Sequence, residues 1–253
     1  MIPSIRKQFN QQFTDQKYKA FLEELFTRFG HEIEFRIAET PVFIPKDLKK
    51  RLFEACDHII DVILQPDFMV NTERAIPEGK NVPFEDKHAQ FLAIDFAICE
   101  DANGRLTPQL IEMQGFPSLF AFQDVISETF RRHYACPPDF DYLFSGLTSE
   151  KYRKLLGQVI LNGHKPENVI LMDIEPQLQK TKVDFMAVKD FFGVPSVCIS
   201  KLKKNGRKLY YEANGQDIEV KRIYNRVIFD ELDKRTDLNL QFHMNDDVDV
   251  EWA

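Results

Sequence analysis

Apolar residues recur at three- and four-residue intervals over 15–29, at Tyr18, Phe21, Leu22, Leu25, Phe26 and Phe29, and Gly30 follows. That spacing predicts a helix with one buried face, closed by a residue free to turn left-handed. A second stripe, from Leu48 and Leu52 through Phe53, Cys56, Ile59 and Ile60 to Ile63, predicts a helix over 45–64 that Pro66 stops. Residues 71–87 are polar, carry Pro77, Gly79 and Pro83, and predict a loop. Two apolar runs, 91–98 and 109–114, flank Asn103-Gly104 and predict a β-hairpin with positive φ at its turn. A helix is expected over 118–134, ended by Cys136-Pro137-Pro138.

From about residue 149 the pattern alternates between helix and strand. A helix over 149–160, with Ser149 as its N-cap, precedes a strand over 168–174. A helix over 179–192, closed by Gly193, precedes a strand over 195–200. Strand, helix and strand in that length make a βαβ unit with parallel strands. Asn205-Gly206 and Asn214-Gly215 then punctuate a meander that finishes over 218–224. One more helix is expected over 226–240. Beyond it, Asp246, Asp247, Asp249 and Glu251 lead to Trp252, the only tryptophan. A large aromatic there suggests that the chain stops inside a domain; an acidic tail is the alternative.

Composition narrows the classes. The chain has 253 residues, 43% hydrophobic and 12% aromatic, which is globular and excludes disorder and low-complexity sequence. Its net charge of -7 argues against nucleic-acid binding, since phosphate backbones demand a basic face. No apolar run of about 18 residues appears, so no membrane contact is expected. The first residues lack the apolar run of a signal peptide. Cys56, Cys99, Cys136 and Cys198 lie far apart, without zinc or disulfide spacing, and a cytoplasmic location is expected.

Glycine-rich nucleotide fingerprints are absent, and the histidines show no metal spacing. His133, beside Arg131 and Arg132, serves a helix dipole or solvent. Asp173 and Glu175 follow a parallel strand, where open α/β sheets place ligands; a solvated loop is the plain alternative. Asp95 and Glu112 fall on the two hairpin strands, in segments expected to be half buried, and Glu112 and Gln114 project from one face. A carboxylate beside an amide oxygen suits Mg2+, and the solvated face of an amphipathic strand is the competing reading. Tyr224-Asn225-Arg226 ends the last strand, and an arginine there either grips an anion or forms a surface pair. The basic run 201–208 reads as a solvated hairpin tip.

In their order along the chain, Ile94-Asp95-Phe96, Leu110-Ile111-Glu112-Met113-Gln114 with Ser118 and Phe120, Asp184-Phe185-Met186-Ala187 and Ile223-Tyr224-Asn225-Arg226 resemble the circularly permuted ATP-grasp proteins. The eukaryotic-type glutathione synthetases and glutathionylspermidine synthetase-like enzymes belong there. The resemblance implies an α/β fold in three parts. Residues 1–145 would be an α+β part with the hairpin, 146–226 a small parallel α/β substrate-type domain, and 227–253 a return segment. It implies an ATP- and Mg2+-dependent carboxylate–amine ligase working through an acyl phosphate on a small-molecule carboxylate substrate. Mg2+ would fall on Glu112 and Gln114, substrate contacts on Asp95, Ser118, Tyr224 and Arg226, and the catalytic arginine would be Arg226. Ala93 and Phe185 stand where the family has substrate-binding residues, so glutathione synthesis is not expected. The lysines that grip ATP lie after the Tyr-x-Arg strand in that family, so the chain is expected to hold the substrate-side half. The alternative is a binding module that kept the fold without the nucleotide half. Oligomeric state is left open, a homodimer included.

Overall fold

The first part of the chain runs α1 (Pro3–Gln12), α2 (Asp15–Phe29), α3 (Lys46–Ile63), α4 (Phe68–Thr72), β1 (Ala93–Glu100), β2 (Leu106–Gln114) and α5 (Phe120–His133) in a computed structural model that describes residues 2–84, 89–116 and 118–253. His88 and the end of the expected 71–87 loop lie outside the described residues. Thr14 caps α2, its hydroxyl accepting the Lys17 N–H at 3.2 Å, and Gly30 closes it at φ 71°. Phe21, Leu25 and Phe29 are buried, Phe21 against the Phe130 ring of α5 at 4.4 Å. His133 is not left to solvent: its Nε2 meets Glu24 of α2 at 2.6 Å, alongside Arg132. α1 went unread in the sequence because it buries only Phe9.

The hairpin departs from its expected form in two ways. Its loop is longer than two residues, and only Gly104 is left-handed, while the Asp101 carboxylate accepts the N–H groups of Asn103 and Arg105. Asp95 and Glu112 are exposed, not half buried. The reason is that β1 and β2 form a sheet of only two strands, which α3 contacts along β2. Leu110 and Ile111 accordingly stay 54% and 65% exposed. The α3 stripe shares this situation: Leu48 is its one buried residue and Phe53 lies in the open.

The second part comprises α6 (Ser149–Leu161), β3 (Val169–Asp173), α7 (Lys182–Phe192), β4 (Ser196–Cys198), β5 (Lys203–Asn205), β6 (Lys208–Ala213), β7 (Gln216–Val220), β8 (Arg222–Asn225), α8 (Phe229–Leu232) and β9 (Glu251–Trp252). β4, β3, β8 and β9 form a parallel sheet in that order, and β5, β6 and β7 an antiparallel one. Every residue of β3 is buried, as an inner parallel strand requires. Val169 and Leu171 face the core shared with the first-part helices, while Ile170 and Met172 face a second core with the meander. β3 is thus the wall between two cores.

The two Asn-Gly turns of the meander differ in backbone conformation. Asn214 and Gly215 are both left-handed, the I′ pattern, whereas Gly206 alone is left-handed in the turn from β5 to β6. The helix expected over 226–240 is reduced to α8. Downstream, Leu238, Leu240, Phe242 and Met244 alternate, and so do Val248, Val250 and Trp252, which is the period of extended chain. They fill the second core, and β9 pairs with β8, so the segment is no acidic tail. Its acids are engaged: Asp246 with Lys204 at 2.7 Å, and Asp247 and Asp249 with Arg207. The cap of α6 is Thr148, one residue before the expected Ser149. Ser149 donates to the buried Asp124 at 2.7 Å instead, with Tyr142 and Arg153 on the same carboxylate.

The contact that positions the site is made by Asp184 of α7, which is fully buried. Its carboxylate accepts the N–H of Leu119 at 3.2 Å and of Phe122 at 2.9 Å, serving the otherwise open first turn of α5. Burial pushes this carboxyl up from its usual range, and those backbone N–H groups oppose the shift. Asp184→Ala strands these donors and is expected to cost about 2–4 kcal/mol in urea unfolding. Asp184→Asn, which keeps one acceptor oxygen, should lose less. Fluorescence of the buried Trp252 reads the transition, and an unchanged midpoint for the alanine variant would refute this account.

Candidate functional site

Arg226 leaves β8 at the carboxyl end of the parallel sheet, its N–H donating to the Met172 carbonyl of β3 at 2.8 Å. This places it beside Asp173, the last residue of β3. The Arg226 guanidinium donates from Nη1 to the Phe116 carbonyl at 3.0 Å and lies 4.4 Å from the Phe116 ring centroid. Phe116 is two residues past Gln114, so the hairpin exit is held against the sheet end. Nothing in the spacing marked Phe116; its local signal is a position between Gly115 and Pro117.

Among the described residues, two buried acids lie within electrostatic reach of this arginine. Asp173 is 6% exposed, and burial pushes its carboxyl up to about 6, against the Ile174 N–H and the Arg226 charge, while Glu231 adds to the rise. The Ile174 N–H donates to it at 2.7 Å. Asp184 also lies within electrostatic reach of Arg226. Glu175 turns elsewhere: left-handed at φ 45°, it receives Arg235 at 2.7 Å, and its N–H donates to the Cys198 sulfur at 3.2 Å. Of the two carboxylates at the end of β3, Asp173 is the one that shares the arginine's surroundings.

Tyr224 is buried under the same strand end, 5.3 Å from the Phe91 ring, and its hydroxyl has no hydrogen-bond partner among the described residues. Burial, then the nearby Asp184 charge, raises its phenol above the usual value. Ser118 is half buried and directly precedes Leu119, whose φ of 71° sets the entry of α5. Tyr224 and Arg226 thus share the electrostatic surroundings of Asp184, which holds the start of α5 one residue after Ser118. Phe185, by contrast, belongs to the core.

Asp95, Glu112 and Gln114 occupy one face of the hairpin, with Asp95 directly opposite Glu112 and Ala93 opposite Gln114. The Gln114 amide donates to Glu112 at 2.6 Å. Two like charges opposite one another are unfavourable in a bare sheet, and a hard cation relieves that repulsion. The donor set is all oxygen once the amide is turned over, and it is open to solvent. Those are the terms on which Mg2+ binds through one or two carboxylates and a phosphate. The set fits Mg2+, although the described residues contain no group of three or more His, Cys, Asp or Glu side chains placed for a metal. No helix among them is long and apolar enough to cross a membrane.

No protein-family model matches the sequence, and no curated protein matches it. Among solved structures, a glutathione synthetase-like effector from Globodera pallida, in its apo form, aligns with a TM-score of 0.45 and 11% identity. The alignment covers 85% of this chain and 54% of that one, so the chain spans about half the length of this neighbour. A likeness of that size bears on neither the site nor its chemistry.

The raised Asp173 carboxyl has a consequence for stability. Its neutral form is favoured in the fold, so its contribution is fully present below its ordinary 3.8 and lost as pH rises through about 6. Asp173→Asn is neutral throughout, and is expected to raise unfolding free energy by about 1–3 kcal/mol near pH 8. The gain should vanish toward pH 4. Urea titrations across this range check it, and a pH-independent gain would refute the assignment.

Proposed function

We propose that the chain is the substrate-side portion of an ATP- and Mg2+-dependent carboxylate–amine ligase of glutathione synthetase type. The observation that supports this reading is convergence. Residues of the resemblance that lie far apart in sequence come within reach of one another: Tyr224 and Arg226 at the end of β8 both feel the charge of Asp184, Asp184 holds the start of α5 directly after Ser118, and Phe116 ties the Glu112–Gln114 strand to Arg226. Arg226 leaves β8 at the carboxyl end of the parallel sheet, which is where open α/β sheets bind ligands.

In this reading Arg226 holds the substrate carboxylate through its planar fork, and the Phe116 ring and carbonyl fix the plane of that fork. Asp173 and Tyr224 set the polarity behind it. Glu112 and Gln114, with Asp95 opposite, would hold the metal, which neutralises phosphate charge when bound. Ala93 and Phe185 keep a γ-glutamylcysteine-type substrate out of the proposal. No described residue is assigned to the nucleotide base.

Calorimetry of the full chain with Mg-ATP tests the reading. Saturable binding is expected, lost in Glu112→Ala and retained in Arg226→Lys, since the arginine serves the carboxylate substrate. Binding that survives Glu112→Ala refutes the metal assignment. Absence of Mg-ATP binding by the folded chain leaves either a substrate-side half without its nucleotide-gripping half or the module that binds a small molecule without nucleotide.

A further inference from the structure

A cleft of about 710 Å3 opens between the start of α3 and the loop before α6, away from the sheet end. That volume is in the range of small-ligand sites, roughly 300–1,000 Å3. Its apolar lining is Ile44 and Phe53 on the α3 side and Phe140 and Phe144 on the other, with charged residues beside them. The Phe53 and Phe144 rings meet edge to face at 5.1 Å.

The charges beside this apolar floor are distributed unevenly. Of Lys46, Lys49, Lys50 and Arg51, Lys50 pairs with Glu54 at 3.6 Å and Arg51 with Asp47 at 2.8 Å. Lys46 and Lys49 line the cleft and pair with no carboxylate among the described residues. The Lys49 ammonium is held over the aromatic pair instead, 5.1 Å from the Phe144 centroid and 6.0 Å from that of Phe53. Two unpaired lysines on one cleft stand out in a chain of net charge -7. Of the acids on the far rim, Asp141 is taken up by Arg131 and by the N–H groups of Tyr142 and Leu143, while Asp139 is exposed.

The rim loop is shaped with some strain. Ser145 at φ 56° and Gly146 at φ 72° are consecutive left-handed residues, and the Leu147 N–H closes the turn on the Phe144 carbonyl at 3.0 Å. A non-glycine residue in that region is uncommon and costs energy. The Phe144 ring just before it lies against Phe53 of α3.

We infer that this cleft binds a small carboxylate with an apolar body, such as an aryl or branched alkyl acid. The body lies on Phe53, Phe140 and Phe144, and the carboxylate meets Lys46 and Lys49 at the positive end of the α3 dipole. The site is independent of the ligase reading, and its test needs neither nucleotide nor metal.

The probes are 4-phenylbutyrate, its neutral amide and 4-phenylbutylamine, each titrated calorimetrically into the full chain. The acid is expected to bind saturably in the millimolar range or tighter, and about tenfold better than the amide or the amine. The double variant Lys46→Gln/Lys49→Gln should weaken the acid about tenfold and leave the amide unchanged. Lys46 is exposed and Lys49 half-buried, and Trp252 emission verifies that the variant is folded. Phe144→Ala should weaken acid and amide alike. An acid that binds no better than the amide, a preference for the amine, indifference to loss of the lysines, or no saturable binding of any probe would each overturn the inference.

Discussion

A fully buried carboxyl group holds this molecule in register. Asp184 is carried by α7, yet its hydrogen-bond partners belong to the first turn of α5, more than sixty positions earlier in the chain. An isolated buried charge would be untenable, and an uncapped helix start in the interior would be nearly as costly. Each defect removes the other. Because α5 is fixed at its first turn, the chain entering it is fixed too, and Phe116 arrives under Arg226. Loosening that one contact would free the hairpin exit from the sheet end.

A second polar node does comparable work at the other side of α5. Asp124 collects Tyr142, Ser149 and Arg153, so the linker between the two parts and the first turns of α6 are oriented by one side chain. Arg153 also reaches Glu128 and lies 4.4 Å from the Phe191 centroid of α7. The apolar packing alone would permit helices to slide. Hydrogen bonds with defined donors set where they stop.

The parts of the sequence that were legible are those in which one period dominates. The α2 stripe, the β3 run and the βαβ succession read directly because burial on one face or on both leaves a clear trace. Segment 226–240 misled because charged residues such as Arg226, Asp230, Glu231 and Arg235 imitate a helix surface, while the alternation from Leu238 onward is the true signal. Asp95 and Glu112 misled for a different reason. Strand propensity says nothing about how many neighbours a sheet will have, and a two-stranded one leaves its residues exposed. For the site, Arg226, Tyr224 and Asp173 could be named from their place at strand ends. Phe116 and the Lys46–Lys49 cleft could not, because they depend on how distant segments lie against one another.

The position of β3 between two cores also governs how the chain reaches its fold during synthesis. The phenylalanine-rich face of α2 and α5 is complete long before β3 exists, and β3 itself waits for β8, since Val169 pairs with Arg222. At translation rates of roughly 5–20 residues per second, that interval lasts several seconds. Over that time the early helices present an aromatic surface with no wall to lie against.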